Sequence, residues 1–514
     1  MIEILVVLVV GAPAVAGLLA WFADARRAPW LALAGLGSSI AAGIALAVLV
    51  FANGPLRAFD GLVAMDGFSA YLLVLVLVVA GIALAGSPGY LAHEGHAGTM
   101  RPHDPGRYYA LLAWFAGGLA AVPLVDNLGL VWVGIEATTI VSALLVGFSR
   151  TPQAIEAAWK YLILGSIGIG FALLGTLLVY ASSVGVLGET SDALAWTRLA
   201  AIAPRLDPAF VRLAFIFALA GYGTKAGLAP FHTWLPDAHS QAPSPISAML
   251  SGAALAVSLY ALARFHLVAV GALGPAFSST LLVIFGLLSL AVALPFIVAQ
   301  GDLKRPLAYS SIEHLGLAAL ALGFGGRLAL LGFTLHLASH GLAKSTAFLA
   351  AGRLVADRGS RRIGRLGGSL ARSPADGRAL VVAALVLAGL PPSGIFVAEL
   401  AIVFGGVEAG WGPAAGVAAL ILALALAGLL FHVVRIAVEP RPKQEGGEPV
   451  AVPVFVLEPV LEPVPVPVPA WRSALPGLLL AVPLALVVIL GLWTPSPLAA
   501  AFDQVVAILG GGRG

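Results

Sequence analysis

The 514-residue chain contains no cysteine. Disulfides, thiolate-held iron–sulfur clusters and cysteine-ligated zinc are therefore excluded within it. Charge is almost as scarce: Asp, Glu, Lys and Arg make up 10% of the residues, against about 25% in a soluble domain. Hydrophobic residues make up 60%, and mean hydropathy is +1.00. A polytopic, all-α membrane protein follows. No sign of charge dominates either, since 28 basic against 25 acidic groups leave too small a margin to suggest nucleic acid. The apolar run Met1–Phe22 lacks a basic n-region and a small-residue cleavage site. It reads as a first membrane helix rather than a signal peptide.

A bilayer needs about 20 apolar residues per helix. On that length the sequence predicts fourteen spans: 2–22, 29–51, 66–86, 107–125, 128–149, 157–181, 209–231, 243–264, 278–299, 306–324, 328–351, 378–404, 411–436 and 473–493. An even number puts both termini on one side. Loops there hold seven basic residues (Arg57, Arg198, Arg205, Arg212, Arg264, Arg327 and Arg513), and the opposite loops hold eighteen. The positive-inside rule then places both termini on the non-cytoplasmic face of a bacterial-type plasma membrane.

Two segments fall outside the spans. Residues 87–106 read as a loop with His93, His96 and His103, and 439–472 is rich in Pro, Val and Glu. Proline at alternate positions favours extended polyproline II, so the second segment reads as a cytoplasmic spacer or tolerated loop expansion. The seventh span is interrupted at Pro230 and the twelfth at Pro391–Pro392. Paired broken helices in corresponding places point to inverted repeats with ion sites between them. The expected units are 1–106 (three helices and a loop), 107–264 (first five-helix repeat), 265–438 (second repeat), 439–472 (loop) and 473–514 (last helix and tail).

A charged side chain at the bilayer centre costs roughly 2.5–3.5 kcal/mol and is usually functional. Six such groups stand out: Glu136, Lys225 before the first break, His336, His340, Lys344, and Glu399 after the second break. The spacing of His336, His340 and Lys344 sets them on one helical face. Lys160, Glu313, His314 and His432 are secondary, being nearer to predicted ends, as are His232 and His239 in the polar passage after the first break. Lipid-facing placement of so many charges is untenable, so they must face one another or water, along a hydrated axis. Burial disfavours a charged lysine or carboxylate and pairing favours it. A lysine whose partner moves is therefore a switchable proton site. The bland readings of the same residues are a static Glu136–Lys225 ion pair and histidines bonded to backbone carbonyls. Two histidines on one helix suit a bis-histidine haem poorly, and no carboxylate completes a metal motif. Neither metal nor cofactor is expected.

The segments GTKAGLAPFHTWLPDAHSQAPSPISAMLSG (223–252), DNLGLVWVGIEATTIVSALLVGF (126–148), AYSSIEHLG (308–316) and HLASHGLAKSTAFLAAG (336–352) closely resemble one family. It comprises the antiporter-like proton-translocating subunits of respiratory complex I, Mrp-type cation/proton antiporters and membrane-bound hydrogenases. APSPISA and PPSGIFVAE look most like component F of hydrogenase-4. The resemblance implies about fourteen transmembrane helices, two inverted five-helix repeats and broken helices seven and twelve. It assigns Glu136, Lys225, the His336–His340–Lys344 group and Glu399 to proton translocation, and sets Lys160 where several members keep a lysine. It also implies membrane partners and a soluble cytoplasmic module carrying any oxidoreductase chemistry. One departure is plain. Many members carry Lys or His on helix eight, where this chain offers Ser247, Ser251, Ser258 and Tyr260. Beside the proton-translocating reading stand a Mrp-like Na⁺/H⁺ antiporter subunit and an ion-coupled anchor of an inorganic-carbon transport complex.

Overall fold

The structure, a computed structural model, describes residues 1–96, 100, 101, 103–437 and 475–510. The predicted spacer at 439–472 and the side chain of His96 lie outside the described residues. The chain is mostly helical. It opens with α1 (Ile2–Trp21) and α2 (Ala28–Asn53), then a short antiparallel ribbon, β1 (Leu56–Ala58) against β2 (Val63–Met65). Next come α3 (Gly67–His96), α4 (Asp104–Ala121), α5 (Leu128–Val146), α6 (Pro152–Leu187), the short α7 (Trp196–Ile202) and α8 (Pro208–Ala226). A break leads to α9 (Trp234–Gln241) and α10 (Ser244–Met249), which passes through a π turn at Leu250–Ala254 into α11 (Leu255–Leu273). The second half holds α12 (Pro275–Ala299), α13 (Lys304–Phe324), α14 (Gly326–Arg358), the short α15 (Ser369–Arg372), and α16 (Pro374–Leu387) separated by a break from α17 (Gly394–Glu408). α18 (Gly412–Ala437), α19 (Leu475–Leu492) and α20 (Ser496–Leu509) follow.

Among the described residues ten spans are long and apolar enough to cross a membrane, or eleven with the pair α19–α20, bent by 77°, counted as one broken span. The predicted spans 107–125, 328–351 and 378–404 correspond to α4, to α14 and to the broken pair α16–α17, which are shorter or more polar. The predicted loop at 87–106 is corrected. α3 continues through Pro88 to His96, because a proline removes one donor without forcing a stop when the flanking residues pack.

Burial shows where the protein's centre lies. The most apolar window of the α10–α11 span is 100% buried and that of α13 is 94% buried, whereas α1 and α18 reach only 28%. α10–α11, α13 and α14 are thus the inner helices, and α1, α2, α6, α12 and α18 turn large apolar side chains outward. Where α11's π turn crosses α14, the two backbones touch. A Cβ on Gly252 would sit 3.0 Å from the Gly341 carbonyl and 3.1 Å from Ser345 Oγ. Gly252→Val should therefore lower the thermal unfolding midpoint in detergent, by the roughly 1–3 kcal/mol typical of overpacking. An unchanged midpoint would show that this crossing is loose.

Candidate functional site

Lys225 sits in the last turn of α8, which ends because Gly227 adopts the left-handed conformation (φ 77°). Leu228 N–H returns to the Gly223 carbonyl at 2.8 Å, satisfying a terminal acceptor. The lysine is buried, and its ammonium sits where the helix dipole favours a cation. Lys225 Nζ donates to the Tyr161 hydroxyl and lies 4.3 Å from that ring's centroid and 5.9 Å from that of Trp234. Tyr161 continues to Ser142 Oγ at 2.7 Å. Trp234, the first residue of α9, is pinned by its Nε1–H to the Thr224 carbonyl at 2.8 Å. Both sides of the break thus close over the ammonium.

Glu136 is half-buried on α5. Its Oε1 accepts from Ser166 Oγ at 2.7 Å, while Oε2 is buried without a hydrogen-bond partner. It acts on Lys225 through space, but the ammonium's bond goes to Tyr161. The direct Glu136–Lys225 ion pair is absent: Lys225 bonds to Tyr161 and Glu136 to Ser166, with only the through-space field linking the two charges.

The second cluster lies between α13 and α14. Lys344 Nζ donates to the Leu307 carbonyl at 2.6 Å and to Ser310 Oγ. Glu313 acts on it electrostatically. His314 Nδ1 lies 3.3 Å from His336 Nε2, and the His314 ring centroid is 5.1 Å from both His336 and His340. Glu313 and His314, secondary in the sequence reading, belong to the centre of this cluster. Four buried polar atoms here make no hydrogen bond of full geometry to protein: Glu313 Oε2, His314 Nε2, His336 Nδ1 and His340 Nε2. Buried polar groups in native proteins are bonded to protein or to ordered water. So many under-bonded atoms in one place favour ordered water. Among the described residues, no group of three or more His, Cys, Asp or Glu side chains is arranged to hold a metal ion.

Glu399 lies at the flank, on α17, whose N-terminus is capped by Ser393 Oγ accepting from Phe396 N–H at 3.2 Å. Its carboxyl group rests over Gly389, and a Cβ at that position would come within 2.9 Å of Glu399 Cδ. Glu399, like Glu136, is only half-buried. Lys160 is exposed and joins Glu156 (2.6 Å), Asp237 (3.2 Å) and, through Asp237, Arg305 (2.7 Å) in a surface network away from both clusters. His232 is half-buried beside the first break, with Nδ1 unpartnered. His239, on α9, is fully buried.

Residues 125–425 match the family described as NADH:quinone oxidoreductase/Mrp antiporter, TM. The chain belongs to that family. The matched stretch runs from just before the α5 cap at Asn127 into α18, so it contains both buried clusters. A hydrogenase-4 component F homolog of Methylacidiphilum infernorum is 42% identical over 313 residues, 61% of this chain and 66% of that one. NADH-quinone oxidoreductase subunit N of Desulforudis audaxviator is 35% identical over 349 residues, 67% of this chain and 66% of its own length. The chain thus spans just under two thirds of each relative. The fold also matches a chain in the structure of the membrane-bound sulfane sulfur reductase, an archaeal respiratory membrane complex. The TM-score is 0.82 at 21% identity, covering 99% of this chain and 97% of that one, a likeness of fold alone.

Within this antiporter-family frame, the side chains that reading for charge overlooks are hydroxyls. Tyr161, Ser166 and Ser310 bond directly to Lys225, Glu136 and Lys344, and Ser142 stands behind Tyr161. Two residues counted as loop charges are buried as well. Lys304 is 5% exposed with Nζ bonded to the Ala242 carbonyl at 2.9 Å, and Arg264 is 2% exposed and paired with Asp66. A basic residue near a predicted helix end reads the same in sequence whether it faces headgroups or folds inward.

Proposed function

We propose that the chain is a proton-translocating membrane subunit of a larger respiratory or hydrogenase-type complex, with protons moving along a hydrated axis of buried Lys, His and Glu side chains. The observation that carries this reading is the Lys344 cluster. An ammonium, a carboxyl group and three imidazoles lie together in the most buried part of the fold, with four of their polar atoms left without a protein hydrogen bond of full geometry. A purely structural core would not retain so costly a set.

On this reading Lys225 and Lys344 are the central proton carriers. Tyr161 and Ser310 hold them, and Glu136 and Glu313 set how strongly each retains its proton. Glu136 and Glu399 stand at opposite flanks of the path, half-buried. The likeness of the fold to a chain of an archaeal respiratory membrane complex, and of the sequence to NADH-quinone oxidoreductase subunit N, supports further membrane subunits and, beyond them, a soluble module that supplies the driving reaction. Counting α4, α14 and α16–α17 as spans beside the other eleven gives fourteen. The five from α4 to α11 and the five from α12 to α18 would then be inverted repeats, each with a broken fourth member, and both termini would face away from the cytoplasm.

The test uses the whole complex in sodium-free inverted vesicles given hydrogen or NADH. Uncoupler-sensitive proton uptake into the lumen is expected. Proton flux that appears only with added sodium would make the chain an antiporter subunit. Absence of flux with a large zinc protein bound would make it a transport anchor.

A further inference from the structure

Between the two lysines the antiporter family's route crosses the helix formed by α10, the π turn and α11. That helix carries serines and Tyr260, which is bonded to Ser69 Oγ at 2.9 Å, and its buried His266, with Nδ1 unpartnered, lies in the last two turns of α11 packed on Phe215. Ser251 Oγ lies 2.8 Å from Ser311 Oγ, which donates to the same Leu307 carbonyl that Lys344 uses. This reaches the Lys344 side, but a hydroxyl passes a proton on without holding one. Arg264 further along is committed to Asp66 by two bonds of 2.8 and 2.7 Å.

His239 stands in the gap from another direction. It comes from α9, the segment beyond the first break, whose end is fixed to α10 by Ser247 Oγ donating to the His239 carbonyl at 2.9 Å. Its ring is sandwiched between Trp234, at a centroid distance of 6.5 Å, and Phe348, at 5.3 Å and 14° from parallel. Trp234 is the ring that covers Lys225. Phe348 lies one helical turn beyond Lys344 on α14, about 6 Å along the axis. Lys344, Lys304 and His340 all act on His239 electrostatically. The residue is 0% exposed and neither ring nitrogen makes a hydrogen bond of full geometry, the Ser247 backbone offering only a weak contact. A packing histidine would be expected to bond at least one of them, since an orphaned buried donor costs about 1–3 kcal/mol. The residues that follow it, Ser240, Gln241 and Ser244, line a cavity of about 620 Å³ together with Lys304 and Gly352. Gly352 is one further turn along the face carrying Lys344 and Phe348. The cavity thus begins one residue beyond His239 in the chain, although the ring itself is not part of its lining.

We propose that His239 is the proton-carrying bridge between the Lys225 and Lys344 sites, standing in for the Lys or His that helix eight lacks, with one water on each ring nitrogen. In the forward step the Lys225 ammonium gives a proton to the intervening water as that water passes one to the unprotonated nitrogen, leaving a neutral amine and forming an imidazolium. The other nitrogen then releases its proton to a water on the Lys344 side. One proton enters and one leaves. The ring is left as the opposite neutral tautomer, and a χ2 flip within the aromatic sandwich restores it. This inference rests on the proposed function and adds a residue and a route to it.

The experiment compares the intact complex carrying wild-type chain, Lys225→Met, His239→Gln and His239→Phe in energised vesicles, with assembly followed by native electrophoresis. Glutamine bonds the same waters without becoming a cation, and phenylalanine keeps the sandwich. Both His239 variants should assemble and lose at least tenfold in protons moved per donor oxidised. Normal flux in His239→Gln, with Lys225→Met inactive, overturns the bridge and leaves the proposed function standing. Normal flux in Lys225→Met overturns the proposed function itself. Should the His239 variants fail to assemble, a map of the wild-type complex that resolves water decides. Density within hydrogen-bond distance of both ring nitrogens supports the bridge, and a dry ring overturns it.

Discussion

Lys225→Met should lower proton translocation at least tenfold while the complex assembles and its donor reaction continues. The physical case is that methionine is nearly isosteric with the lysine stem, and volume-conserving swaps cost less than about 1.5 kcal/mol. Tyr161 would lose one bond but keep Ser142 at 2.7 Å, so no hydroxyl is orphaned. Trp234 is anchored to Thr224 independently of the lysine. The aromatic cover over the break should therefore survive. What disappears is the group able to hold a proton in the first cluster where the field of Glu136 can act on it. Flux measured by a pH-sensitive dye, normalised to donor oxidised, isolates that loss from any fall in expression. Normal flux with normal assembly would return Lys225 to the status of a packing residue capped by its helix dipole.

How the site was legible, and where it was not, follows from what a sequence records. The breaks at Pro230 and Pro391–Pro392 are written in backbone chemistry, and α8–α9 and α16–α17 divide there. Lys225 and Lys344 are written as charges inside apolar runs, and both are buried. The i, i+4 pair His336 and His340 lies on one face of α14 with rings 6.2 Å apart. The contribution of Glu313 and His314 depended on α13 facing α14, which no local pattern states. Their closeness to a predicted helix end masked a 4% and 1% exposed pair. Serines and tyrosines in an apolar run look like ordinary helix packing. Only the fold shows that Ser310 and Tyr161 are aimed at ammonium groups, with Ser142 behind the tyrosine. Lys160 shows the converse, since charge inside an apolar stretch was a sound signal, yet α6 is 36 residues long. Its early turns carry the lysine out to a surface network with Asp237.

Arg264→Leu should be the most destabilising single change, for a reason separate from transport. Asp66 caps α3, accepting from Ser69 N–H at 2.9 Å, and takes both Arg264 nitrogens at 2.7–2.8 Å. The guanidinium also donates to Ser69 Oγ at 3.0 Å and stacks over Trp196 at 3.8 Å. One residue thus ties α3 and α11 to the α7 segment. Removing a single partner of a buried pair costs about 3–5 kcal/mol, because the other charge is stranded. The pH dependence gives the mechanism a signature. Burial disfavours ionised Asp66, but Arg264 and the Ser69 bonds outweigh it and hold its pKa below the ordinary 3.8. A depressed carboxyl pKa contributes stability that is present above about pH 4 and is lost as pH falls through the folded value. In Arg264→Leu only the burial effect stays large, so the folded pKa of Asp66 should rise above its unfolded value and the sign should invert. The variant should then gain stability relative to wild type as pH falls. Thermal unfolding midpoints of both proteins across pH 4–8 measure this directly, and adding Asp66→Asn should recover part of the loss at pH 7. A constant difference across that range would mean that Arg264 stabilises by packing on Trp196 rather than by balancing the carboxylate.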